Sequence, residues 1–374
     1  MGIRESVREA EFSIRDISEK ASRMEDVVRL DIGQPDFETP GEVKEAVSDQ
    51  VEEEHVTYTS LWGMPELREE AADYESWKVG LEGENVMVTT GGIGALHCIL
   101  TGLLENREKA VMNDPAWMPY SLIGKVSPGT FEQVPYFDGD GNVRISAVED
   151  TIDSDTELLL LNSPENPTGR VYTEDQVKAL GELAEENGLR IVSDEVYDHL
   201  LYGDAEHVSA AEFFPERTMI VNSMSKNFAM TGWRIGWVAS RDEELIHELG
   251  KVNRASTACP NYLGQKAALT ALRQSTGYVE RMREEFEERR DLVLQHLEEL
   301  GWNAVEPRGA IYAFPDVERD SWDFAHELLD EERVAVVPGA AAGDSAQTNV
   351  RICFGSATKE EIDEGFERMK RFVG

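Results

Sequence analysis

Leu158-Leu159-Leu160-Leu161-Asn162, then Glu174–Asn187, then Arg190-Ile191-Val192-Ser193-Asp194 is the stretch on which the fold turns. The leucine run offers no polar face to water, so it predicts a strand covered on both sides. The middle segment is amphipathic. It begins after Thr173 and stops at Gly188, the cap chemistry of a helix. The third run repeats the first. Strand, helix and strand in this order read as part of an open, mostly parallel α/β sheet.

The same alternation extends outward. Further strand-like runs lie at Val86–Thr90, Ala110–Asn113, Thr130–Phe137, Met219–Ser223 and Arg234–Ser240. Together these predict a seven-stranded, mostly parallel sheet between helices, with ligands expected beyond the strands' C-terminal ends. After about Thr270 the pattern changes. A long charged helix (Gly277–Leu300) leads into short strands near Asn303–Glu306, Ile311–Phe314, Val334–Val337 and Asn349–Phe354, with helices at Phe324–Glu332 and Lys359–Phe372. The expected division is an N-terminal arm and part of a small domain (1–45), a large domain (46–270) and a smaller α+β domain (271–374). A chain of 374 residues has room for that plan.

Charge excludes several classes of function. There are 74 acidic residues against 36 basic ones, for a net charge of −38. Such a field repels nucleic acid and anionic membrane, so neither is an expected partner. The imbalance runs along the whole chain, with 11 Lys against 25 Arg. That pattern suits a salt-rich cytoplasm, where acidic side chains keep a surface hydrated. Cys98, Cys259 and Cys353 are far apart and show neither metal nor disulfide spacing, as expected of reduced thiols in a cytosol. Met1–Glu19 lacks the apolar core of a signal peptide. Gly91–Leu104, the longest mostly apolar stretch, is too short to span a bilayer.

Three segments carry chemistry. Ser223-Met224-Ser225-Lys226 is followed by Thr231-Gly232-Trp233-Arg234-Ile235-Gly236. Small, apolar surroundings lower an amine's pKa toward the nucleophilic range. A hydroxyl and an arginine flank the lysine as a phosphate grip would need. Asp194 ends a strand, where a carboxylate either caps a helix or pairs with a protonated pyridine nitrogen. Asn162-Ser163-Pro164-Glu165-Asn166-Pro167-Thr168-Gly169 is a turn whose Asn166 can meet a ligand oxygen. Thr89–Leu96 imitates a dinucleotide fingerprint but fails it, because His97 stands at the third glycine. It reads better as a phosphate cradle of Gly92 and Ile93 backbone N–H groups at a helix start.

The segments N-P-T-G, D-E-V-Y and S-x-S-K-x7-R-x-G, in this order and spacing, resemble the class I/II aminotransferases of pyridoxal-phosphate fold type I. The likeness runs from Ile32-Gly33-Gln34-Pro35-Asp36-Phe37 to Asn349-Val350-Arg351-Ile352. It implies a pyridoxal 5′-phosphate enzyme that moves an amino group from an L-amino acid to a 2-oxo acid in a ping-pong cycle. Lys226 would hold the cofactor as a Schiff base and then shuttle the proton. Asp194 would pair with the pyridine nitrogen, Asn166 and Tyr197 with the phenolic oxygen, and Ser223, Arg234, Gly92 and Ile93 with the phosphate. Trp117 would stack on the ring, and otherwise it is a core aromatic. Arg351, with Asn166 and the Gly33 N–H nearby, would bind the substrate carboxylate. Tyr58 would reach the phosphate of the neighbouring subunit in a homodimer.

Departures from the family pattern bear on substrate. Pro338-Gly339-Ala340-Ala341-Ala342-Gly343 lacks the usual aromatic, and Ile311 precedes Tyr312 where Phe is common. A dicarboxylate donor would call for a second basic residue, with Arg254, Arg308 and Arg15 as the available ones. The same residues would also serve a PLP-dependent lyase, cyclase or synthase. A non-catalytic regulator on this fold would need a DNA-binding domain, for which no room lies ahead of Ile32. Glu195, His97 and His199 read as structural.

Overall fold

In the structure, a computed structural model describing residues 13–53 and 56–374, the leucine run forms the middle of a seven-stranded sheet. After a two-residue strand β1 (Val28–Arg29) come β2 (Val86–Thr89), β3 (Lys109–Asn113), β4 (Thr130–Val134), β5 (Thr156–Asn162), β6 (Arg190–Asp194), β7 (Thr218–Ser223) and β8 (Gly236–Ala239). The sheet order is β2-β8-β7-β6-β5-β3-β4, and only β8 runs against its neighbours.

The period of two explains why β5 is nearly all leucine. Leu158 and Leu160 enter a core with Val192 and the helix Gly91–Leu103, while Leu159 and Leu161 enter another with Ile191, Tyr172 and Leu180. Both faces are therefore dry, as a parallel strand requires. The connecting helix Glu174–Glu186 opens on a reciprocal cap. Thr173 accepts from the Gln176 N–H, and the Gln176 side chain accepts from the Thr173 N–H. Such a cap contributes about 1 kcal/mol. Gly188, at φ +72°, ends the helix as the left-handed turn demands.

The C-terminal ends of β2, β5, β6 and β7 open on one side. The chain reverses its direction across the sheet between β3 and β5, the place where such sheets bind ligands. The strand expected from Arg234 starts instead at Gly236, because Arg234 has a left-handed φ of +58° that no strand accommodates.

A second core joins Ile17, Val28 and Leu30 to Phe286, Val293, Phe324 and Phe366. It packs under β1 paired with β10 (Val334–Ala335), and under β9 (Tyr312–Ala313), β11 (Val337–Pro338) and β12 (Val350–Cys353) in the order β11-β12-β9. Two expectations are corrected here. Asn303–Glu306 is not a strand: Val305 is exposed and no neighbouring strand pairs with the segment. Val334–Val337 is not one strand but two, the first bonded to β1 and the second to β12. Among the described residues no helix is long and apolar enough to cross a membrane. The start of the expected N-terminal arm, residues 1–12, lies outside the described residues.

Candidate active site

The end of β7 delivers the lysine. Ser223 leaves the strand, and its Oγ accepts from the Ser225 N–H at 3.2 Å, capping the short helix Met224–Asn227. Lys226 thereby projects into a cavity of about 330 Å³. Its Nζ donates to the Gly33 carbonyl at 2.5 Å and lies 5.8 Å from the centre of the Tyr197 ring. Burial pushes this ammonium down to about pKa 8, assisted by Arg351 and Arg234 and opposed by Cys353 and Asp194. Gly33, expected beside a substrate carboxylate through its N–H, meets the lysine through its carbonyl. A side chain at Gly33 would collide with the Tyr312 hydroxyl.

One end of the cavity is built for an anion. Gly91, at φ +69°, starts the helix Gly91–Leu103, so the first backbone N–H groups have no intrahelical partner. Gly92, Ile93, Ser223, Ser225, Thr231 and Arg234 line this region. A Cβ on Gly91 would meet the Arg234 guanidinium at 2.7 Å, so only glycine lets the arginine lie there. Arg234 Nη1 donates to the Thr231 carbonyl at 2.8 Å.

Asp194 stands elsewhere in the same cavity, fully buried at the end of β6. Burial raises its carboxyl to about pKa 6, although the Tyr120 hydroxyl, donating at 2.6 Å, favours the ionised form. Nearby, the Tyr197 and Tyr312 hydroxyls lie 2.8 Å apart. Asn162 turns the chain after β5: its Oδ1 accepts from the Asn166 N–H at 3.0 Å, and its Nδ2 donates to the Asp194 carbonyl at 3.1 Å. Arg351, buried in β12, donates to Asn166 Oδ1 at 3.2 Å and to the Asp31 carbonyl at 2.9 Å over the Tyr312 ring. Its Nε is buried with no partner among the described residues.

Of the residues named from the sequence, the cavity gathers Gly33, Gly92, Ile93, Trp117, Asn166, Asp194, Tyr197, Ser223, Lys226, Arg234 and Arg351. Tyr58 is not among them; it is 87% exposed on this chain. Trp117 both lines the cavity and packs edge-on against Tyr120 at 5.2 Å. Sequence reasoning missed Tyr120, Ser225 and the Tyr312 hydroxyl. Tyr120 follows Trp117 at the spacing of one turn, the one local hint that the two share a face.

The family model described as aminotransferase class I and II matches residues 25–369. The chain belongs to the class I and II aminotransferases. The aspartate aminotransferase of Pyrococcus horikoshii is 35% identical, covering 96% of this chain and 93% of the relative. The aspartate/prephenate aminotransferase of Thermus thermophilus is 38% identical over 93% of this chain and 91% of its own. A solved tetra mutant of the Thermus thermophilus aspartate aminotransferase, complexed with tryptophan, superposes with a TM-score of 0.94 at 35% identity, covering 99% of each chain. This aminotransferase is a pyridoxal-phosphate enzyme, and the family favours transamination over lyase chemistry.

The residues present fit that cofactor. An anion cradle, an amine and a buried carboxylate share one cavity, and the free Arg351 Nε marks a place for a second anion. Bound there, pyridoxal phosphate supplies an electron-withdrawing ring that accepts the electron pair left at a substrate's Cα. Because the lowered pKa makes neutral amine predominate above about pH 8, capture of the cofactor by the apoprotein should accelerate as pH rises through 8 and then level off. Stopped-flow absorbance across pH would check this. A midpoint at the ordinary lysine value of about 10.4 would contradict it.

Proposed function

We propose that this aminotransferase takes the amino group of L-aspartate, through Lys226 and Arg351, and passes it to a 2-oxo acid in a ping-pong cycle. The observation that carries an amino-acid donor is Arg351, a buried guanidinium with an unpartnered Nε in the same cavity as the Lys226 amine. Arg351 would clamp the donor's α-carboxylate. Lys226 would take the Cα proton and return it to the cofactor's C4′, across the intervening nitrogen, aided by its lowered pKa. Asp194 would keep the ring nitrogen protonated, Tyr197 and Asn166 would hold the ring oxygen, and Ser223, Arg234, Gly92 and Ile93 would hold the phosphate. Trp117 would cover the ring, and Gly33 would sit beside the carboxylate. The name of the Pyrococcus relative supports aspartate as donor.

A second reading, neutral or aromatic donors, is favoured by the cavity wall. Among the described residues its basic ones are Lys226, Arg234 and Arg351, whereas Leu96, Trp117 and Met118 are apolar. Neither Arg254, which is exposed, nor Arg308, which pairs with Asp204, lines it, and the Arg15 side chain lies outside the described residues.

The active unit in this reading is a homodimer, with the exposed Tyr58 reaching the neighbouring phosphate. Its large domain spans 46–270, its small domain 271–374, and the segment 1–45 is an arm shared with the small domain. The compartment is a salt-rich cytoplasm, consistent with the net charge of −38.

One experiment covers these points: each donor alone is mixed with the loaded enzyme at low and at high salt, and the cofactor's absorbance is followed. Aspartate should convert it to the amine form without releasing ammonia, faster and with a more stable protein at high salt. Conversion by aromatic donors only would select the second reading, and full activity and stability at very low salt would remove the salt adaptation.

A further inference from the structure

A second polar assembly lies beside the cavity without lining it. Lys78 Nζ, wholly buried, pairs with Glu75 at 2.5 Å, Asp198 at 2.6 Å and Glu195 at 2.9 Å. Glu75 also accepts from Asn222 Nδ2 at 3.0 Å and from Trp237 Nε1 at 2.8 Å. Asp198 accepts from Asn222 at 2.9 Å, from Asn227 at 2.6 Å and from the Tyr74 hydroxyl at 3.3 Å. Glu195 accepts from Ser193 and Ser209, both at 2.6 Å, and meets His207 at 2.9 Å. The three carboxylates converge as they would on a metal ion, but an ammonium occupies their centre.

The chain positions of these partners matter most. Glu195 follows Asp194, Asp198 follows Tyr197, Asn222 precedes Ser223 and Asn227 follows Lys226. Asn222 also accepts from the Ser223 N–H at 2.8 Å. Asp194, Tyr197, Ser223 and Lys226 therefore each have a chain neighbour gripped by this one assembly. Stability alone does not account for it, since well-packed apolar residues generally match or exceed a buried ionic cluster.

We propose that Lys78 is a positioning residue for transamination: through Glu195, Asp198 and the two asparagines, it fixes Asp194, Tyr197, Ser223 and Lys226 around the cavity. The proposal rests on the reading of Lys226 as the cofactor lysine. Burial disfavours the Lys78 charge, but Asp198, Glu195 and Glu75 outweigh it and hold its pKa well above the ordinary value. Burial likewise opposes ionisation of Glu195 and Asp198, and Lys78 heads the groups that keep both below the usual carboxylate range. Burial, opposed by Lys78, raises the pKa of Glu75 instead, so the charged pairs of the clamp are those of Lys78 with Glu195 and Asp198.

Lys78→Met and the charge-balanced pair Lys78→Met with Asp198→Asn test it. Two rates are measured: kcat of the loaded enzyme, and formation of the borohydride-trapped link when the apoprotein meets saturating pyridoxal phosphate. Lys78→Met should lower the melting temperature, and the pair should restore most of it. Both rates in the pair should stay roughly tenfold or more below the parent, with KM within about twofold, because misplaced groups lose turnover even in a sound fold. Recovery of both rates along with the melting temperature would reduce Lys78 to a structural role and overturn the proposal. Should either variant fail to fold, Tyr74→Phe, which removes one hydroxyl from Asp198 and Asn227, decides: a parent-like melt with both rates slowed supports the clamp, and parent-like rates overturn it. Failure of the underlying reading shows separately, as a trapped link that survives Lys226→Ala.

Discussion

Lys226→Ala is expected to abolish turnover and to leave no borohydride-reducible link to pyridoxal phosphate. The loss in kcat should reach roughly 10⁴-fold or more, since the covalent attachment and the proton shuttle vanish together. Among the described residues nothing else in the cavity replaces the amine: the other basic groups lining it are the guanidiniums of Arg234 and Arg351, hydrogen-bond donors without a nucleophilic lone pair. The fold should survive, because among the described residues the Lys226 amine donates to the Gly33 carbonyl alone. Mass spectrometry of the reduced protein checks the link, and circular dichroism checks the fold. A link that persists would move the nucleophile to another lysine.

Arg351→Met should have the next largest effect. Truncating one side of a buried charge pair typically costs about 2–5 kcal/mol, which corresponds to a fall in kcat/KM of roughly 30- to several thousand-fold. The loss should be general to all donors, because the contact is with the carboxylate they share. The cofactor's own absorbance should be unchanged. Arg351→Lys should recover only part of the rate: an ammonium keeps the charge but loses the fork. Asn166 and the Asp31 carbonyl already aim the guanidinium, leaving its Nε free. Donor-specific rather than general losses would place Arg351 at the far end of the substrate instead.

The parts legible in the sequence are those governed by local rules. The unbroken apolar run Leu158–Leu161 foretold two dry faces, and Thr173 and Gly188 bounded the intervening helix. The ends of β5, β6 and β7 pointed to Asn166, Asp194 and Lys226, and the structure places all three in one cavity. Where the reading fell short, distance in the chain is the reason. Tyr120 reaches Asp194 from 74 residues away and Glu75 meets Asn222 across 147, so no window of sequence contains either contact. Lys78 carries no local mark in the sequence to show that its side chain is wholly buried. Asn303–Glu306 has strand-like composition but lacks a partner, and composition cannot supply one.

The buried Lys78 cluster has a consequence for how such a protein changes over generations. Mobile ions reorganise around exposed carboxylates within about 8–10 Å, but they do not enter a region where every charged side chain is at most 1% exposed. The cluster carries its own cation, Lys78, in contact with all three carboxylates, so their nearest counter-charge is supplied from within the fold. Lineages can therefore add or remove surface acids as their surroundings become saltier or fresher, without retuning the ends of β6 and β7.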